Sequence, residues 1–353
     1  MTKIYVPTNR RKFLAGAAGI IAAPFVISAT ARAQNKTLYV NTWGGSWTAA
    51  EEAAFFKGFT EASGAKIQTV TPVSYAKLKA QVESGSYEWD VTSISQTQLL
   101  RAKLENLIEP IDYKIIDKNK LPPDAVFSDG IAYCVLSYNV SYRSDKYPNG
   151  GPQNWADFWD VKKFPGSRSM YGGDGVIAVL QALLADGVEP GKMYPADVDR
   201  AFKKLDQIKP HVKIWWTQGN QSQQLFRDNE IDMMAIWNAR ASELKLQGTP
   251  VELAWNGALD SITMWAVAKG APNKGLAWEF IQYAVQAQPQ AEFAKRLFYG
   301  PVNPKSYDFL PEDVAKQLPT YPKYREVALI LDPVWGGQNA SKIEERFKQW
   351  QAS

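Results

Sequence analysis

Between Thr37 and Leu104 the chain runs twice through alternating strands and helices, and this alternation constrains the fold more than any other feature. A strand over 37–41 leads to the Gly44-Gly45 turn. A helix follows, its start marked by Thr48 with Glu51 three positions on, the pattern of a capping box. The helix continues through Ala53, Phe56 and Phe59 toward Gly64, and a strand over 66–71 returns with the apolar Ile67 and Val70 set among polar residues. Ser74 then opens a second helix through Leu78 and Val82 to Gly85, before a strand over 89–94 and a helix over 96–104. Strands joined by helices are parallel neighbours, and repeated units of this kind build a sheet covered on both faces.

The first 33 residues have another purpose. Asn9-Arg10-Arg11-Lys12-Phe13-Leu14 precedes an apolar run from Ala15 to Ala29 and then Ala31-Arg32-Ala33. A charged start, a modest apolar stretch and an A-x-A site make a removable export leader, and the paired arginines followed by Phe-Leu point to the twin-arginine route. The run is shorter than the roughly 20 residues that span a bilayer. The expected mature protein begins at Gln34 and is periplasmic, folded before export. The leader carries five of the basic residues and no acid, so the formal charge of +4 falls to −1 in the mature chain. That balance gives no electrostatic case for binding nucleic acid.

The 320 residues that remain exceed what one hydrophobic core usually organises, so two lobes are expected. A long apolar strand over 131–139 runs into the turn-rich Tyr147-Pro148-Asn149-Gly150-Gly151-Pro152. Beyond it come a strand over 169–171, helices over 176–184 and 197–208, and a strand over 233–236. An apolar strand over 261–267 then returns to the first lobe ahead of a helix over 275–286. This assigns 34–138 and 264–302 to lobe 1, and 139–263 and 303–353 to lobe 2. Two crossing strands form a hinge with a cleft beside it. The fold class is therefore α/β, two-lobed, each lobe a mixed and mostly parallel sheet flanked by helices.

The single Cys134 sits in an apolar run and reads as a buried small hydrophobe. The single His211 on a Pro-His-Val turn offers no metal pair and no triad, so neither a metal nor a cofactor is expected. The thirteen tryptophans are better suited to gripping a small organic molecule or to packing. Trp43 and Trp47 lie in the loop after the first strand, where parallel sheets present ligands. Ser95 and Gln96 also stand at a strand end and offer hydrogen bonds, although a helix cap explains Ser95 equally well.

A succession of short blocks carries a resemblance. Tyr75-Ala76-Lys77-Leu78, Leu107-Ile108-Glu109-Pro110-Ile111-Asp112, Asn154-Trp155-Ala156-Asp157-Phe158-Trp159, Lys163-Phe164-Pro165-Gly166, Ala235-Ile236-Trp237-Asn238-Ala239 and Ala271-Pro272-Asn273-Lys274-Gly275 follow one another along the mature chain. In order and spacing they resemble the spermidine/putrescine-type extracellular solute-binding proteins of ABC importers. The resemblance implies a two-lobed, hinge-bending periplasmic-binding-protein fold of type II. It implies capture of a small solute by a monomer and delivery to an inner-membrane permease. By the same resemblance Trp237, with Trp43 or Trp47, supplies aromatic walls, and Trp335 a contact from the tail.

The charges depart from the polyamine pattern. Where relatives place an acid on the returning strand, this chain has Ser261-Ile262-Thr263-Met264-Trp265, with Asp260 the nearest carboxylate. After the lobe 2 strand only Asp174 could hold an ammonium. Gly172-Gly173-Asp174-Gly175 leads into a helix start whose N–H groups could instead hold a carboxylate, with Arg240 assisting. The alternatives are a tight turn and a solvated arginine. Two further functions remain open on sequence grounds: an exported enzyme using the twin-arginine route, and a solute sensor docking on a membrane receptor.

Overall fold

The computed structural model describes residues 36–121 and 126–353; the proposed leader lies outside the described residues. The strands are β1 (Thr37–Asn41), β2 (Lys66–Val70), β3 (Val91–Ser95), β4 (Ile131–Arg143), β5 (Arg168–Tyr171), β6 (Val212–Trp216), β7 (Met233–Trp237), β8 (Val251–Val267), β9 (Gly300–Pro301) and β10 (Leu329–Ile330). Their order is β2-β1-β3-β8-β4-β7-β5-β6, with β10 beside β8 and β9 beside β4. β1 is parallel to β2 and β3, and β5 is parallel to β6 and β7. The long β4 and β8 run antiparallel to each other and join the two parallel groups.

The helices are α1 (Gly45–Glu51), continued through a π-helical turn into α2 (Lys57–Ser63), then α3 (Tyr75–Ser84), α4 (Gln96–Leu104), α5 (Trp155–Trp159), α6 (Gly175–Ala185), α7 (Val198–Ile208), α8 (Gly219–Arg227), α9 (Asn238–Leu246), α10 (Lys274–Ala284), α11 (Ala287–Leu297), α12 (Glu312–Ala315), α13 (Pro322–Arg325) and α14 (Pro333–Ala352). Among the described residues no helix is long and apolar enough to cross a membrane.

Two large hydrophobic cores flank the middle of the sheet. The first gathers Leu38, Phe55, Leu99, Trp265 and Phe280; the second gathers Trp155, Leu180, Phe202, Trp216 and Ile236. The strand β4 gives Ile131 to Leu136 to the first core and Tyr138, Val140 and Tyr142 to the second, and β8 divides in the same way between Leu259 and Ile262. The crossing point falls at Ser137 and Asp260, which pair across the two strands. Pro304–Phe309 forms a 3-10 helix whose Tyr307 packs with Ala294, Phe298 and Leu318 in a third, smaller cluster.

One expectation needs correction here. The Thr48–Glu51 capping box does not form. The helix starts earlier, at Gly45, with Gly44 as its cap at φ 93, a value that favours glycine. Thr48 accepts the Gly44 N–H from the first turn, and Glu51 turns inward. The last helix begins at Pro333, capped by Asp332. Within it Gly336 and Gly337 are packing residues, for an added Cβ would come within 3.4 Å of Thr97 and 3.1 Å of Leu100 on α4. Ser74 caps α3 and Asp197 caps α7 as expected.

Asn238, the first residue of α9, ties β4 at the crossing to Phe298 of the third cluster. Its Oδ1 accepts from the Ser137 N–H at 3.1 Å and its Nδ2 donates to the Phe298 carbonyl at 2.5 Å. Replacing Asn238 with Ala leaves a buried donor and acceptor unmatched, at about 1–3 kcal/mol each. Urea unfolding of Asn238→Ala is expected to show about 2–4 kcal/mol lost stability; an unchanged midpoint would contradict this role.

Candidate functional site

The chain leaves β1 at Asn41, and the positive φ at Gly44 lets it turn at once into α1. This places Trp43 and Trp47 side by side, ring centroids 6.4 Å apart at 67°. Trp43 is 38 % exposed, and Trp47 is half-buried against Tyr299 (5.1 Å), Phe293 (5.6 Å) and Tyr133 (6.4 Å). Facing them, β7 ends at Trp237 and α9 begins, carrying Arg240, Glu243 and Leu246. A cleft of about 330 Å³ lies between, lined also by Arg296 and Tyr299.

The Arg240 guanidinium reaches Gln223 Oε1 at 3.4 Å and Glu243 at 3.7 Å. The lining thus carries two guanidiniums, from Arg240 and Arg296, and one carboxylate, from Glu243, beside two indoles. Apolar walls with a few converging charges suit a small organic anion or zwitterion.

Of the residues singled out in the sequence, the structure brings Trp43, Trp47 and Arg240 into this one cleft. Trp237 stands one turn before Arg240, stacked on Tyr138 with centroids 3.4 Å apart, and packs against both cores. Ser95 caps α4 by accepting the Gln98 N–H at 3.3 Å, and the buried Gln96 Oε1 beside it has no partner. Trp335 lies in the first turn of α14, packed on Tyr194. Trp265 is fully buried in the first core, stacked on Tyr133 at 4.3 Å among Phe55, Phe56 and Phe280. These five do not line the cleft.

The two candidate acids are also elsewhere. Asp174 caps α6 by accepting the Ile177 N–H at 3.1 Å, while Glu344 of α14 takes the Gly175 N–H at 2.7 Å. The expected anion cradle at Gly172 to Gly175 is therefore filled by the chain's own carboxylates, and the Gly172 N–H is spent on the Trp216 carbonyl. Burial, with Glu344 adding to it, pushes the Asp174 carboxyl up to about 7. Asp260 is buried at the crossing point, and burial pushes its carboxyl up to about 8, with Ser137 opposing.

Sequence reasoning missed Glu243, Arg296 and Tyr299 in the lining, and Glu51 behind it. Glu51 is fully buried; its Oε1 accepts from Trp47 Nε1 at 2.6 Å and from the Tyr133 hydroxyl at 2.7 Å. The spacing of four between Trp47 and Glu51 puts both on one helix face, a signal that the capping-box reading obscured.

Residues 54–323 match the model of the bacterial extracellular solute-binding protein family. The chain belongs to that family. A γ-aminobutyric acid-binding protein of Pseudomonas aeruginosa PAO1 is 37% identical over 332 residues, covering 92% of this chain and 94% of the relative. The spermidine/putrescine-binding periplasmic protein of Escherichia coli K12 is 25% identical, covering 92% and 93%. Among solved structures, an ABC transporter substrate-binding protein from Bradyrhizobium japonicum USDA 110 superposes with a TM-score of 0.86 at 34% identity, covering 90% and 99%. A GABA receptor gives 0.83 at 36%, covering 89% and 97%. The two-lobed α/β fold of this solute-binding protein is thus shared with binding proteins of ABC transporters.

The three buried carboxyls of Glu51, Asp174 and Asp260 make the fold sensitive to pH. Each holds its proton more tightly folded than unfolded, so the contribution of these three groups to stability is fully present below the ordinary carboxylate range and is lost as pH rises from about 4 to about 8. The urea midpoint is expected to drop between pH 5 and pH 8, and to drop less in Asp260→Asn. Equal slopes in the two proteins would contradict this.

Proposed function

We propose that this solute-binding protein captures a small zwitterionic amino acid of the γ-aminobutyrate kind in a cleft between its two lobes and delivers it to an ABC permease. The observation that carries the reading is the meeting of Arg240 with Trp43 and Trp47 in one small cleft. A guanidinium fork matches a carboxylate, and it repels an ammonium. Indole faces cover a short methylene chain and attract the cation at its far end, at about 0.5–2 kcal/mol per contact. Among the described residues of the lining, Glu243 supplies the carboxylate for that ammonium, in competition with Gln223, which donates to it at 2.7 Å.

The relatives named for γ-aminobutyrate support this choice of solute. Polyamine capture fits less well. A diamine needs desolvated carboxylates to offset the burial of two ammonium groups. Asp174 and Asp260 do not line the cleft, and both are pushed toward the neutral form.

Solute contacts made from both sides favour the closed arrangement over the open one, with β4 and β8 as the hinge. The protein acts by binding alone, as a monomer outside the cytoplasm, reached by twin-arginine export through Asn9 to Leu14 and cleavage after Ala33. Exposed tips of the lobes present the closed form to the permease.

Calorimetric titration with γ-aminobutyrate, putrescine, spermidine and succinate tests the solute class. Micromolar binding of γ-aminobutyrate corresponds to about 8 kcal/mol. Arg240→Met is expected to weaken it roughly 50-fold or more, as for a lost charge-assisted bond, and Trp43→Ala about tenfold. Tight binding of a polyamine, undiminished in Arg240→Met, would sink the proposal.

A further inference from the structure

We propose that Glu51 is a positioning residue for solute capture: its buried carboxylate orients the cleft wall through Trp47, and solute affinity follows its ionisation. This inference rests on the cleft reading above.

Glu51 is fully buried without a cation beside it. Such a carboxylate costs more than an apolar residue of similar size, so packing alone does not account for it. Its contacts do. Oε1 accepts from Trp47 Nε1 at 2.6 Å, Tyr133 at 2.7 Å and Ser93 at 3.3 Å, while Oε2 bonds the Thr42 hydroxyl. Thr42 continues to Thr48 at 3.1 Å, and Thr48 accepts the Gly44 N–H at 3.0 Å. One carboxyl group therefore holds the Trp47 indole directly and reaches, through two hydroxyls, the backbone beside Trp43. Apolar contacts with Phe293 and Tyr299 do not fix the rotation of an indole; a hydrogen bond to its N–H does.

The groups facing Glu51 are Thr42 just after β1, Ser93 from β3, Tyr133 and Cys134 from β4, and Trp47 from its own helix; α11 brings Phe293 against Trp47 and Tyr133. Tyr133 and Cys134 are both pushed well above their ordinary values by burial and by Glu51, and stay neutral through the physiological range. The charged side chains of the cleft, Arg240, Arg296 and Glu243, make none of these contacts. Burial, opposed by the four hydrogen bonds, lifts the carboxyl to about 7. The ionised form accepts charge-assisted bonds that hold the indole firmly, and protonation weakens them.

Glu51→Gln stands in for the protonated carboxyl, since its amide can accept from Trp47 and Tyr133 and donate to Thr42. The test follows the ¹H–¹⁵N indole resonance of Trp47, assigned by its loss in Trp47→Phe, and γ-aminobutyrate affinity from pH 5.5 to 8. In the unaltered protein the resonance is expected to titrate near neutral pH and affinity to rise in step, roughly three- to tenfold. Glu51→Gln is expected to show neither change and to bind as weakly as the unaltered protein at pH 5.5. If Glu51→Gln keeps the original affinity and pH profile while Arg240→Met loses binding, the cleft reading stands and the role of Glu51 is overturned. If Arg240→Met binds normally, the cleft reading fails and this inference fails with it.

Discussion

Everything in this molecule is arranged around two long strands that belong to both hydrophobic cores. Through β4 and β8 the chain crosses from one core to the other at Ser137 and Asp260. The two strands pair from Leu136–Ser261 through Tyr138–Leu259 and shift register just beyond, between Tyr138 and Val140, while the apolar packing on either side divides between the two cores. Asn238 ties this crossing to Phe298, which lines the cleft, so the hinge strands and the site share a fixed reference.

Electrostatics then separates the acids from the bases. The two acids that the sequence offered for an ammonium are committed to structure, Asp174 as a helix cap beside Glu344 and Asp260 at the crossing. The two guanidiniums in the lining, by contrast, reach the cleft. A solute bearing a carboxylate meets this surface favourably, whereas a diamine meets mostly like charge. The buried Glu51 adds a third arrangement, a carboxyl placed behind an aromatic wall where its charge orients a neighbour and stays clear of solute.

Much of the fold was legible because local signals agreed with tertiary packing. The βαβ order, the caps at Ser74 and Asp197 and the apolar run of β4 all carried through. The sequence misled where a residue served a distant partner. Glu51 looked like a capping-box residue, whereas the folded chain sets Trp47 and Tyr133 against its carboxylate. Of the residues that line the cleft, Trp43 and Trp47 were singled out from the loop after the first strand, and Arg240 only as a cation assisting the Gly172 to Gly175 loop, whose N–H groups are taken by Asp174 and Glu344. Arg296, Glu243 and Tyr299 were not, because only the folded chain brings α11 and α9 together across the cleft.

The central claim is that Arg240 receives the carboxylate of a small amino acid whose chain lies across the tryptophans. A crystal structure of the protein with γ-aminobutyrate bound tests it most directly. The account predicts the solute carboxylate against the Arg240 guanidinium, its methylenes over Trp43 and Trp47 and its ammonium toward Glu243. A solute seated with its ammonium on Asp174 or Asp260, out of reach of Arg240, would contradict it.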